Sequence, residues 1–354
     1  DKMLVLFLSA GIFLLSLLIV KMILNEINVK IAPFTSILFV FLIGFSNGIF
    51  FLLIRPSAYE TSIACAAFMF LIAVFLFAKY LFTSKRFFIL LIFTGFALAL
   101  SVGSRPFYIL TIPLFFAVFI YDGSVKNIDR KEMIKRALFF FVPCALYGTV
   151  LATYNYLRFD SIFEFGMKYQ LNEFNLNEWS FSIKDLIIGL KHYLFNLPLS
   201  TESFPFISLN YSFYHRLSKV LSMGIIFLFP MILFFVLLPK FIKDIGIKKE
   251  VGVLLCLLSL VFVMNLIVLS IFGMTHRYIF EIMYILAIIC NVLFAYFYAK
   301  TTENKNKGLL GVLLCAIFFI TIYVNVSAVV SPNIVKHTIY VDEANHQKIR
   351  NFLL

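Results

Sequence analysis

Residues 87–121 form an apolar run of 35 residues broken by one charge, Arg105, with Pro106 beside it. As one straight helix the run would be roughly 52 Å long at 1.5 Å per residue. A bilayer's hydrocarbon core is only about 30 Å thick. The run must therefore fold back on itself. Gly103–Ser104–Arg105–Pro106 is the only turn chemistry inside it, so a hairpin tip is predicted there. Each arm is then about 15 residues, or roughly 23 Å, which is short for a span. The tip is predicted to stop below the membrane surface, with Arg105 in a protein-lined recess. The simpler alternative is an arginine that snorkels to lipid headgroups. An arginine kept inside the membrane otherwise marks a site.

Runs of this kind recur from end to end. Charged residues make up 14% of the 354 residues, against roughly 25% in soluble domains, and 62% are hydrophobic. The fold class expected is all-α: a polytopic transmembrane helical bundle of about ten spans. They are 3–20, 31–54, 62–82, 87–102, 107–121, 137–155, 218–238, 251–272, 278–298 and 309–330. The transmembrane domain covers 1–330, with an extracytoplasmic loop at 156–217, and a tail follows at 331–354.

The net charge of +12 is unevenly placed. The connections 21–30, 79–86, 122–136, 239–250 and 299–308 carry 17 Lys and Arg against 7 acids, while the rest of the chain carries 13 against 11. Basic loops stay in the cytoplasm. This orients the chain as a multi-pass cell-membrane protein with residue 1 outside. The other connections, at 55–61, 103–106, 156–217, 273–277 and the tail, face outward. The basic residues are dispersed over five short loops, which fits anionic membrane lipid and not nucleic acid.

The five cysteines all lie in apolar runs, with no CxxC spacing and no nearby histidine, and read as packing residues. The five histidines show no ligand spacing. No nucleotide fingerprint, HExxH or nucleophile elbow occurs.

The loop 156–217 contains WSFSIKDLIIGLKHYLFNLP. Ser182 and Asp185 suggest a capping box. Ile183, Leu186, Ile187, Leu190 and Leu194 recur at helical spacing. An amphipathic helix on the outer leaflet is predicted, flanked by Trp179 and Tyr193. The next piece, LSTESFPFISLNYSFYHR, carries turn residues and aromatics that suit a dip towards the spans.

Three arginines end apolar runs on the outer side: Arg55 before Pro56, Arg105 before Pro106, and Arg277 in THRYIFE. Each reads either as an interfacial anchor or as a ligand for phosphate, which the planar guanidinium fork binds in bidentate fashion. Tyr278 and Tyr59 can add donors or stack on a sugar ring. Among the outward acids, Glu60, Asp160 and Glu164 are the candidate catalytic carboxylates, none of them singled out. Glu60, and Glu281 one turn into the ninth span, read either as a general base or metal ligand or as structural partners for Arg55 or Arg277, and that pairing is the favoured reading.

GFALALSVGSRPFYILTIPLFF resembles the short-span hairpin ending in Arg-Pro of bacterial membrane glycosyltransferases of the GT-C type. YNYLRFDSIFEFGMKYQLNEF resembles the segment that opens the large outer loop in a group of them. RPSAYETSIACAAF and HRYIFEIMYILAI match further parts of the pattern, and the likeness runs over about 45–300. The resemblance implies an enzyme that moves a sugar from a polyprenyl-phosphate or polyprenyl-diphosphate carrier to a glycan, lipid or protein acceptor on the outer face of the bacterial plasma membrane. In that family a carboxylate in the first outer loop acts as base or metal ligand, so a divalent cation is the one cofactor it admits. That loop would precede Asp1, and the chain is expected to lack its N-terminal part. Arg105, Arg277 and Arg55, with Tyr278, are the expected donor-phosphate ligands. A transporter or flippase of a lipid-linked or anionic substrate would use the same arginines, although no clear repeat and no matching pair of broken spans is legible. A non-catalytic scaffold for envelope assembly is the third reading.

Overall fold

The computed structural model describes residues 1–54, 56–83, 88–166, 182–202, 204–214, 217–246, 249–272, 275–302 and 307–330. It is 83% helical, and seven of its helices are long and apolar enough to cross a membrane. The chain is a multi-pass helical membrane protein. Five of the seven are α1 (Lys2–Glu26), α4 (Ala58–Phe82), α7 (Arg130–Phe159), α11 (Lys249–Phe272) and α12 (His276–Thr302). The sixth joins the 3-10 turn Pro106–Leu110 to α6 (Thr111–Val125), and the seventh is α13 (Lys307–Val330). Shorter apolar helices are α2 (Pro33–Ser46) and α5 (Phe88–Ser104).

The hairpin predicted in 87–121 is present. Helix α5 ends at Ser104, and Arg105 takes an extended conformation (φ −143°, ψ 101°). A residue before proline is pushed into that region by the proline ring. Ser62 Oγ donates to Ser104 O at 2.6 Å and Ser101 Oγ to Ala66 O at 2.9 Å, so the outgoing arm is bolted to α4.

Two expected spans are broken. In 31–54 the helix stops at Ser46 and resumes as the single turn α3 (Phe50–Leu53). Gly48 between them has φ +75°, and a Cβ there would lie 3.1 Å from Phe280 Cα. Asn47 Oδ1 accepts the Ile49 N–H at 3.0 Å, which supplies a partner at the break. The stretch 218–238 is not a helical span. It contains strand β4 (Leu217–Ser222), the turn α9 (Ile225–Leu228) and the 3-10 segment Pro230–Leu237, before α10 (Leu238–Ile245). Gly224 and Pro230 fall within a stretch whose apolar composition alone suggested a helix. The Leu228 carbonyl is met by Asn325 Nδ2 at 2.7 Å, as irregular backbone at membrane depth requires.

Helix α12 is the hub: 94% of its apolar window is buried, against 6% for α7, which packs chiefly along α5. Gly95 permits that packing, since a Cβ there would lie 2.1 Å from Phe140 O. At the end carrying the basic loops, Lys126 binds Asp122 and, at 2.9 Å, Glu250, while Lys300 binds Asp244 at 2.7 Å and Arg136 meets Tyr80 Oη at 3.1 Å. Four of the five connections assigned to the cytoplasm, 79–86, 122–136, 239–250 and 299–308, are thus gathered at one end of the bundle.

The predicted surface helix is α8 (Ile183–Phe195). Its Ser182 makes no side-chain cap, so the expected capping box does not form. The face it presses on the bundle centres on the buried Asp185, Gly189 and Tyr193, with Ile188, Leu190 and Leu194 packed beside them. Gly189 meets the Ser270 backbone of α11, where a Cβ would come within 2.4 Å of Ser270 O. Ile183 and Ile187 stay exposed, at 66% and 61%. Two small hairpins follow, β1 (Leu199–Ser200) with β2 (Ile207–Ser208), and β3 (Asn210–Tyr214) with β4. Tyr323 Oη donates to Pro205 O at 2.7 Å, so this segment does reach the spans, at α13. Trp179, Arg55 and the tail 331–354 lie outside the described residues.

Candidate functional site

At the opposite end from the basic loops, three connections converge. The α5 hairpin tip brings Arg105, the start of α4 brings Tyr59 and Glu60, and the start of α12 brings Arg277, Tyr278 and Glu281. Arg105 Nη2 lies 2.8 Å from Glu281 Oε1, and Arg277 Nη1 lies 3.3 Å from Glu60 Oε1. Both guanidinium groups share the Tyr278 ring, Arg105 at 5.0 Å and Arg277 at 5.7 Å from its centroid. Arg277 also lies 5.0 Å from the ring of Tyr59. Cation–π contact and ion pairing together hold two like charges around one ring, which neither would do alone.

Local sequence explains each placement. Ser57, Glu60 and the first turn of α4 form a capping box, with the Ser57 N–H donating to Glu60 Oε2 at 3.2 Å and its hydroxyl contacting the same oxygen. Glu60 therefore spends one oxygen on the helix start and the other on Arg277. Glu281 follows Arg277 by one turn of α12, on the buried side of that helix, and its side chain is 1% exposed. Below it, Tyr108 Oη and Tyr284 Oη are 2.9 Å apart, and Asn265 Nδ2 donates to Glu281 O at 2.9 Å. The Arg105 and Arg277 side chains keep 19% and 25% of their exposure, so the cluster is reachable from the outer end.

Of the expected phosphate ligands, Arg105, Arg277 and Tyr278 are thus brought together, and Arg55 lies outside the described residues. The expected pairing of Glu60 with Arg277 is present. Asp160 is elsewhere. It caps the far end of α7 in the left-handed region (φ 53°). Gly103, beside the hairpin tip, is level with Tyr147 of α7. Asp160 lies thirteen positions beyond Tyr147, roughly 20 Å of helix. Glu164 follows beyond that cap, after a turn fixed by Asn155 Nδ2 donating to Ile162 O at 3.3 Å.

Comparison with family models, curated proteins and solved structures gives no match.

The sequence offers Glu281 as a base, a metal ligand or a partner of Arg55 or Arg277, but not as the partner of Arg105. Its spacing to Arg277, one helical turn, was the one available signal, and it pointed to the wrong arginine. Its actual partner, Arg105, is brought by tertiary folding. Among the described residues several buried polar atoms of this cluster have no hydrogen-bond partner: both Glu281 carboxylate oxygens, of which Oε1 has its ion pair with Arg105, and Arg105 Nε, Arg277 Nε and Thr275 Oγ1. Buried polar atoms are nearly always bonded, so a group of such exceptions in one place points to a ligand. No three His, Cys, Asp or Glu side chains among the described residues are placed to hold a metal ion.

Proposed function

We propose that the chain is a membrane glycosyltransferase that takes a sugar from a polyprenyl-phosphate or diphosphate carrier and passes it to an envelope glycan, lipid or protein at the outer face of a bacterial plasma membrane. The observation that carries this reading is the pair of arginines on one tyrosine ring, partly exposed and each fixed by a buried carboxylate. When a glycosidic bond to phosphate breaks, negative charge builds on the leaving oxygen. Donors already fixed in a water-poor recess stabilise that charge without reorganising. Arg105 and Arg277 take this role, and Tyr278 holds their planes. Glu60 acts as a partner of Arg277 and of its own helix start, because both its oxygens are engaged.

A second reading, a transporter of a lipid-linked anion, draws support from the breaks at 47–49 and 223–229. Both broken segments pack on α12, as Phe39 and Phe234 against Phe294 show. Discontinuous helices commonly flank transport sites.

The test is transfer of labelled sugar from a polyprenyl-phosphate donor by purified protein in lipid, comparing wild type with Arg105→Lys. The lysine keeps the charge and loses the fork. A fall of about 100-fold or more in turnover is expected, the usual cost of removing one such donor. Labelled lipid crossing the bilayer with its glycosidic bond intact would favour the transporter instead.

A further inference from the structure

The charge balance of the cluster is unusual for a phosphate site. Arg105 and Arg277 are matched by Glu281 and Glu60, so the described residues leave no positive surplus for an anion. A pocket built for bare phosphate gains nothing from a second buried carboxylate, which repels the ligand and costs free energy to bury. The unpartnered atoms are also of both kinds. Arg105 Nε and Arg277 Nε can only donate, and Glu281 Oε2 can only accept while ionised. A ligand that satisfies all three must bring acceptors and a donor side by side. An isolated anion brings acceptors alone, whereas a sugar attached to phosphate brings both.

We infer that Glu281 is the sugar-reading residue of this site: one carboxylate oxygen positions Arg105 and the other accepts a hydrogen bond from a hydroxyl of a glycosyl phosphate. The inference rests on the proposed reading of the cluster as a lipid-phosphate site and specifies its ligand. Phosphate oxygens meet the guanidinium groups. A neighbouring sugar hydroxyl donates to Glu281 Oε2. Glu281 has the right setting for such discrimination, because it is buried, belongs to the hub helix and is held from behind by Asn265 on its own carbonyl. Sites that hydrogen-bond a substrate hydroxyl reject analogues lacking it, since the buried acceptor is then left bare. The ligand expected to bind poorly is therefore the spent carrier, polyprenyl phosphate without its sugar. That difference would also speed exchange of spent for loaded carrier.

The experiment measures binding of two probes to the purified full chain in nanodiscs: polyprenyl phosphate, and the same lipid bearing a hexose on the phosphate. Wild type is expected to prefer the glycosylated lipid by roughly tenfold to a hundredfold, the worth of one hydrogen bond to a charged group. Glu281→Gln should bring that ratio close to one, because the neutral amide has a single acceptor oxygen, and turning it to Arg105 leaves an NH2 donor facing the sugar hydroxyl. Glu281→Asp, which keeps the charge but withdraws it by one methylene, should give an intermediate ratio. The ratio is the decisive readout, because a purely structural Glu281 would weaken both probes alike. An unchanged ratio in Glu281→Gln, or no preference in wild type, overturns the inference. Should Glu281→Gln fail to fold, an Asp variant with the full wild-type ratio overturns it as well. If instead wild type binds neither probe, or Arg105→Lys binds both as well as wild type does, it is the lipid-phosphate reading that fails.

Discussion

Arg105 and Glu281 are each a liability without the other. Truncating one member of a buried ion pair leaves an uncompensated charge and costs about 3–5 kcal/mol, whereas replacing both is far milder. Arg105→Ala is therefore expected to destabilise the protein, seen as a lower unfolding temperature in detergent, by a free energy near the lower end of that range because Arg105 is partly exposed. The double variant Arg105→Ala with Glu281→Gln should regain most of the loss while remaining unable to bind lipid phosphate. A double variant no more stable than the single one would show that the pair does not hold the tip. The arginine was legible in the sequence because span arithmetic leaves it no ordinary place. Its partner was not, because only the packing of the α5 tip on α12 sets Glu281 beside Arg105 and gives Arg277 to Glu60.

At the scale of elements, the surface helix α8 separates two roles that its sequence mixes. Its apolar residues at helical spacing suggested a face laid on lipid, and the exposure of Ile183 and Ile187 agrees. The contact with the bundle centres on Asp185, Gly189 and Tyr193, with Ile188, Leu190 and Leu194 beside them. Gly189→Val should therefore detach α8, since its new carbons meet the Ser270 backbone. Ile187→Ser should leave thermal stability nearly unchanged and weaken only the helix's association with lipid. Limited proteolysis of α8 in nanodiscs checks both. Rapid cleavage of the serine variant with a resistant valine variant would reverse the assignment. The same scale holds the clearest misreading. Composition made 218–238 look like a span, yet Gly224 and Pro230 break it. The punctuation was visible, but the partner that makes the break tolerable, Asn325 on the Leu228 carbonyl, lies about a hundred residues away. The break at Gly48 likewise depends on the approach of Phe280. Where local length and charge decide, as in the 87–121 hairpin, sequence is enough. Where a distant helix decides, it is not.

For the whole molecule, four of the five loops that the charge bias assigns inside meet at one end of the bundle, and the Arg105–Tyr278–Arg277 cluster lies at the other. A sided activity follows from this polarity. The most direct measurement is sugar transfer in sealed membrane vesicles of known orientation, given a short-chain, water-soluble polyprenyl-phosphate sugar from the outside. Right-side-out vesicles should transfer the sugar, inverted vesicles should not until they are opened, and Arg105→Lys should abolish transfer in both. Transfer by inverted vesicles alone, or activity in right-side-out vesicles indifferent to Arg105→Lys, would contradict the account.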